Sequence, residues 1–190
     1  MRIKIGFFSV LLFLSLLLTH SYFAICALSA IILHELGHII AARLCKVKFK
    51  ALNIGIYGAG LNAERTDFSY KNEIIIALGG ALSNLITVLA SLPLYLSTQS
   101  TTLLYFIASS ILLGIMNLLP IKTFDGGRIL HSLLCLFFTP FTSDKILSIS
   151  SFFIIFILWT ISVYLMLIYG MGLSSFVFSL SLFSRFFIDT

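Results

Sequence analysis

The chain has 190 residues, of which 59% are apolar and 10% charged, and its mean hydropathy is +1.11. Soluble domains carry about a quarter charged residues, so a water-soluble globule is excluded, as is a disordered chain, which needs low hydrophobicity and high charge. Twelve Lys and Arg against seven Asp and Glu give a net charge of +5; no aromatic-basic stripe accompanies them, so no nucleic-acid partner is expected, and the solvent implied is a lipid bilayer.

A bilayer core about 30 Å thick takes roughly 20 helical residues. Read in chain order, the apolar stretches predict about six spans: Ile5 to Thr19, Tyr22 to Ala42, Ile74 to Ser97, Leu103 to Leu119, Ile146 to Ile168, and Leu173 to Phe187. Met1-Arg-Ile-Lys before an apolar run also fits a signal peptide. The next apolar stretch follows almost at once, as expected of a helical hairpin rather than a mature N-terminus. Between the fourth and fifth spans, Arg128 to Thr139 is apolar but too short to cross alone, and Pro140 stops it.

With the N-terminus in the cytoplasm, Arg2 and Lys4 lie inside. The loop after span two holds Arg43, Lys46, Lys48, Lys50, Arg65 and Lys71. Lys122, Arg128 and Lys145 follow span four, and Arg185 ends the chain. All twelve basic residues then fall on one face, and the opposite connections (His20-Ser21, Thr98 to Thr102, Tyr169-Gly170) carry none. This is the positive-inside pattern. It predicts a multi-pass protein of the cell membrane with both termini cytoplasmic.

Val47 to Glu64 is different in kind. Val47-Lys-Phe49-Lys alternates, Leu52-Asn-Ile54-Gly-Ile56 alternates again, and Gly58-Ala-Gly60 supplies a turn. The pattern predicts a small β-hairpin near the cytoplasmic surface, between spans two and three; a plain surface loop is the alternative. Cys26, Cys45 and Cys135 are odd in number and unpaired in spacing, so they read as small hydrophobes rather than a disulfide or zinc set.

Two acids lie where a membrane protein avoids them. Glu35 sits among Ile31, Ile32, Leu36, Ile39 and Ile40, and Asp125 follows span four in an apolar stretch. Ionisable groups at membrane depth are costly and point to function. Glu35 belongs to His34-Glu35-Leu36-Gly37-His38. Residues four apart share a helix face, so His34 and His38 can offer nitrogens to one ion, with Glu35 adjacent as a general base. The alternative, two packed polar histidines, buries three polar groups in lipid without a shared task.

A hydrolytic zinc site keeps three protein ligands and one open position. His20 lies about 21 Å of helix from His34 and is out of reach. His131 and Asp125 both remain candidates for the third ligand. Asp125 follows Pro120, which breaks the fourth helix, and precedes Gly126 and Gly127, which free the backbone. Such irregular backbone is tolerated at membrane depth only when buried or lining a cavity. Its alternative role is N-cap of the following short helix.

His34-Glu35-Leu36-Gly37-His38 in an early span, Gly79-Gly80-Ala81-Leu82-Ser83-Asn84 in span three, and Asn117-x-x-Pro120-x4-Asp125-Gly126 later together resemble the site-2 protease family of intramembrane zinc proteases. The compact layout resembles its sporulation-type subgroup. The resemblance implies that His34, His38 and Asp125 hold Zn2+, that Glu35 does acid/base work, and that Asn117 stands near the site to stabilise the oxyanion. An interhelical hydrogen bond is the alternative for Asn117; Asn84 reads as structural. Ala81 and Thr123 stand where the family often has proline, which loosens the backbone without removing a ligand. No room is left for PDZ or CBS modules.

The expectation is therefore a single all-α intramembrane protease domain over 1–190, with its core in 22–139. It would hydrolyse a peptide bond of a membrane-associated protein near the cytoplasmic face, with a regulatory membrane protein as a further candidate partner. The competing readings are a non-enzymatic polytopic zinc-binding protein or transporter, and a zinc protease with its active domain outside the bilayer, for which too little polar sequence remains.

Overall fold

A computed structural model describes residues 2–5, 22–47, 49–55, 58–63, 69–169 and 173–189. The chain divides into two compact units, Met1–Leu118 and Leu119–Thr190. Each is taken by itself.

In the first unit, strand β1 (Arg2–Ile5) precedes helix α1 (Tyr22–Leu44). Strands β2 (Phe49–Gly55) and β3 (Gly58–Ala63) follow, then helices α2 (Tyr70–Thr98) and α3 (Thr101–Leu118). β2 and β3 pair antiparallel, with Leu52 opposite Leu61 and a register shift between Phe49 and Ala51. β1 runs parallel to β2, Arg2 opposite Ala51 and Ile5 opposite Ile54. Among the described residues the sheet order is β1-β2-β3, so β2 is central and β3 forms an edge. The expected first span, Ile5 to Thr19, lies outside the described residues except for Ile5, which ends β1.

The helices of this unit are packed the reverse way from those of a soluble bundle. Small and polar residues are buried on α1 (Ala30, His34, Gly37, His38, Ala41) and on α2 (Ala77, Gly79, Gly80, Asn84). Ile31, Ile32, Leu36 and Ile40 of α1, and Leu82, Leu85, Ile86 and Leu89 of α2, are exposed. Where the solvent is lipid, nothing drives leucines inward, and close contact of small residues holds helices together instead. α1 and α2 meet at Gly37 and Gly79 so closely that a Cβ on Gly79 would stand 2.6 Å from the Ala41 methyl. The Ser83 hydroxyl donates to the Leu33 carbonyl across the same seam at 2.6 Å. α2 ends at Gln99, whose positive φ of 52° lets its N–H cap the Tyr95 carbonyl and turns the chain into α3.

In the second unit, a turn over residues 119–124 leads into the short α4 (Asp125–Leu134), then the long α5 (Pro140–Tyr169) and α6 (Leu173–Asp189). Pro140 opens α5 rather than merely ending the segment before it: proline is pre-set for a first helical position, and the Thr139 hydroxyl accepts the Thr142 N–H at 3.3 Å. Ile121, Ile155 and Leu182 form the buried cluster, with Phe124, Phe183 and Phe186 against it.

Among the described residues, four helices rather than six are long and apolar enough to cross a membrane: α1, α2, α3 and α5. α6, where a sixth span was expected, has 17 residues, about 26 Å of helix, one residue fewer than α3.

Candidate metal centre

His34 and His38 are one turn apart on α1, and both are buried, at 3% and 5% exposure. Their Nε2 atoms approach to 3.1 Å, with the rings edge-to-face and centroids 4.7 Å apart. The far edge of each ring is held by α2. His38 Nδ1 donates to the Ile76 carbonyl at 2.8 Å, and His34 Nδ1 meets the Asn84 side-chain amide nitrogen at 3.0 Å. Gly80 lies between these two supports. A Cβ there would stand 2.5 Å from His38 Nε2 and 2.6 Å from His34 Cε1. Ile76, Gly80 and Asn84 are spaced four apart, so a single face of α2 presents a carbonyl, a gap and an amide to the two imidazoles.

Glu35 is half-buried beside His34. Its neighbour Leu36, on the outer side of the helix, is exposed at 43%. Asn117 lies in the last turn of α3, half-buried.

In the second unit, Asp125 is the first residue of α4, buried together with Gly126 and Gly127. The cap position is Phe124, with no side-chain cap hydrogen bond; the reading of Asp125 as N-cap is corrected accordingly. As a first-turn residue its carboxylate faces the positive end of the helix, and one oxygen lies 3.3 Å from the Arg128 guanidinium. The turn before it is anchored by α5: the Lys122 N–H donates to the Ser151 hydroxyl at 2.9 Å, and the Ser150 hydroxyl donates to the Pro120 carbonyl at 3.3 Å. A Cβ on Gly127 would stand 2.6 Å from the Ile121 carbonyl carbon, so only glycine lets this turn close on the helix. His131, the other third-ligand candidate, lies six residues beyond Asp125, about 240° around the helix. Its Nε2 is 3.4 Å from the Asp144 carboxylate of α5.

The model of Peptidase family M50 matches residues 22–100 and 82–161, which together span most of the chain. The chain belongs to peptidase family M50. A solved structure, "Site-2 Protease from Methanocaldococcus jannaschii", aligns over 91% of this chain and 82% of that one, with a TM-score of 0.63 and 22% identity, and so shares its fold. No curated protein matches the chain. M50 members are zinc metalloproteases, and this one is an integral membrane protease with transmembrane helices.

The histidine pair fits the metal of an M50 protease. Two nitrogens each about 2.0–2.1 Å from a tetrahedral zinc stand roughly 3.3 Å apart; His34 and His38 Nε2 are 3.1 Å apart. The outer edge of His38 carries a backbone carbonyl of the kind zinc-ligating histidines donate to, and that of His34 meets the Asn84 amide. The motif reading found the pair but not its supports. The signal was present in the four-residue spacing of Ile76, Gly80 and Asn84, although a backbone carbonyl leaves no mark on a sequence.

Proposed function

We propose that the chain is an intramembrane zinc metalloendopeptidase that hydrolyses a peptide bond of a membrane-associated protein near the cytoplasmic face. The observation that carries this reading is the convergence of His34 and His38 at 3.1 Å beside Glu35, in a chain of peptidase family M50. His34, His38 and Asp125 would hold the ion. Asp125 is supported by its motif, its burial and its place at the start of a helix whose preceding turn is tied down. Bound zinc supplies an acidified water, with pKa near 7, and polarises the scissile carbonyl.

The remaining work belongs to the chain's own residues. Glu35 accepts the proton of the attacking water and delivers it to the leaving amine. Asn117 donates its amide to the developing oxyanion. The bundle of α1, α2 and α3 keeps lipid out and the histidines oriented. A transmembrane substrate must unwind before its bond is accessible, because a helix satisfies its own backbone; strand β3 offers an edge on which the unwound segment adds as a further strand.

The single-domain organisation over 1–190, a place in the cytoplasmic membrane with both termini inside, a role in regulated intramembrane proteolysis under a membrane-embedded regulator, and membership of the sporulation-type subgroup belong to the same proposal. The charge distribution supports the orientation, and the order of the three motifs supports the protease resemblance. Glu35→Gln tests the enzymatic reading. A protease loses cleavage of a membrane-anchored reporter while keeping zinc; a binding protein or transporter keeps its activity.

A further inference from the structure

We infer that Asn84 is a positioning residue that selects the zinc-binding tautomer of His34, its amide oxygen accepting the His34 Nδ1–H. The inference rests on the zinc reading above and deepens it. A carbonyl only accepts, so the contact between His38 Nδ1 and Ile76 O puts the His38 proton on Nδ1 and leaves a lone pair on Nε2. His34 must match it to offer its own Nε2 to the same ion, which requires the proton on Nδ1 and an acceptor facing that proton.

The side chain that meets His34 Nδ1 across the helix seam is Asn84, 2% exposed. As the amide stands, its nitrogen faces His34 Nδ1 at 3.0 Å, and its oxygen is buried with no hydrogen-bond partner among the described residues. In that orientation the amide donates, the His34 proton sits on Nε2, and the 3.1 Å contact becomes a His34-to-His38 hydrogen bond. Half a turn of the amide exchanges oxygen and nitrogen with almost no change in shape. The oxygen then accepts from His34 Nδ1, and both Nε2 lone pairs face inward.

The half-turn also relieves the orphaned oxygen, whose burial without a partner is costly. It sends the NH2 group toward the position that oxygen now occupies. Asn84 lines a cleft of about 180 Å³ between α2 and α3, together with Ser110 and Gly114. Ser110 is fully buried there, and its hydroxyl has no partner among the described residues. Ser110 is the other polar side chain lining this otherwise apolar cleft, so its hydroxyl is the acceptor open to the turned NH2. A four-residue step on α2 thus gives each histidine an acceptor, Ile76 carbonyl for His38 and Asn84 oxygen for His34.

The test compares zinc affinity, by chelator competition on the purified full chain, for wild type, Asn84→Asp and Asn84→Leu. Cobalt substituted for zinc reports ligand geometry through its visible absorption. A carboxylate can only accept, so Asn84→Asp should bind within about threefold of wild type with the same cobalt bands, whereas Asn84→Leu should lose roughly 10–100-fold. If the amide serves His34 as a donor, or acts only as packing, Asn84→Asp falls as far as Asn84→Leu, or Asn84→Leu binds like wild type; either overturns the inference while zinc binding by wild type stands. Should Asn84→Leu not fold, Asn84→Asp alone decides. A wild type that binds no zinc overturns the inference together with the reading beneath it.

Discussion

The backbone of α2 at Gly80 is the wall against which His38 rests: a methyl group there would stand 2.5 Å from His38 Nε2. The atoms in its way are the ends of two side chains, which can swing aside only by giving up Ile76 and Asn84.

Gly80→Ala should therefore lower zinc affinity by about tenfold or more. Thermal stability should change little, because alanine gains up to about 1 kcal/mol of helix propensity over glycine. Gly37→Ala should behave differently, since its methyl would overlap the Gly79 carbonyl, backbone that cannot step aside. A loss of about 1–3 kcal/mol or more is expected. Thermal unfolding in detergent and zinc titration on both variants separate the two effects.

Ser151 carries a second prediction. It is fully buried on α5 and accepts the Lys122 N–H in the turn that leads to Asp125. Ser151→Ala leaves that amide without its partner, at a cost of about 1–3 kcal/mol. A lowered thermal midpoint checks it. The buried Ser179, whose hydroxyl bonds within its own helix to the Phe176 carbonyl at 2.9 Å, is the comparison, and Ser179→Ala should cost less.

The edge strand carries the third. Successive N–H groups along a strand point to opposite sides, so of Leu61 and Asn62 one faces β2 and the other faces outward. Proline at the outward position keeps the sheet but removes a donor from the edge. If substrate adds along β3, that variant should lose about tenfold or more in turnover on a membrane-anchored reporter, with zinc content unchanged. Unchanged turnover would remove β3 from the mechanism.

The apolar spans were legible because lipid selects for length and hydropathy. Tyr22 to Ala42 and Leu103 to Leu119 lie within two residues of α1 and α3 at each end. The starts of the other two long helices were not. α2 begins at Tyr70 rather than Ile74, and α5 at Pro140 rather than Ile146, because Tyr-Lys-Asn-Glu and Pro-Phe-Thr-Ser-Asp-Lys are helical without being apolar. The alternation from Leu52 falls on paired strands as far as Gly55, with Ile56 outside the described residues, but the third strand was hidden: Arg2-Ile-Lys-Ile reads as the charged lead of an apolar segment, and its partner Ala51 lies far along the chain.

At the site, His34 and His38 were readable from their spacing alone, because four residues make one helical turn. The far-edge supports required knowing which face of α2 meets α1. That meeting is set by Gly37, Gly79 and Ser83, whose smallness is visible in the sequence while its geometric consequence is not.

The metal content of the purified chain, measured beside that of Asp125→Ala and His131→Ala, tests the central claim most directly. The account predicts about one zinc per chain in wild type and in His131→Ala, and its loss in Asp125→Ala. Zinc retained by Asp125→Ala and lost from His131→Ala would contradict it.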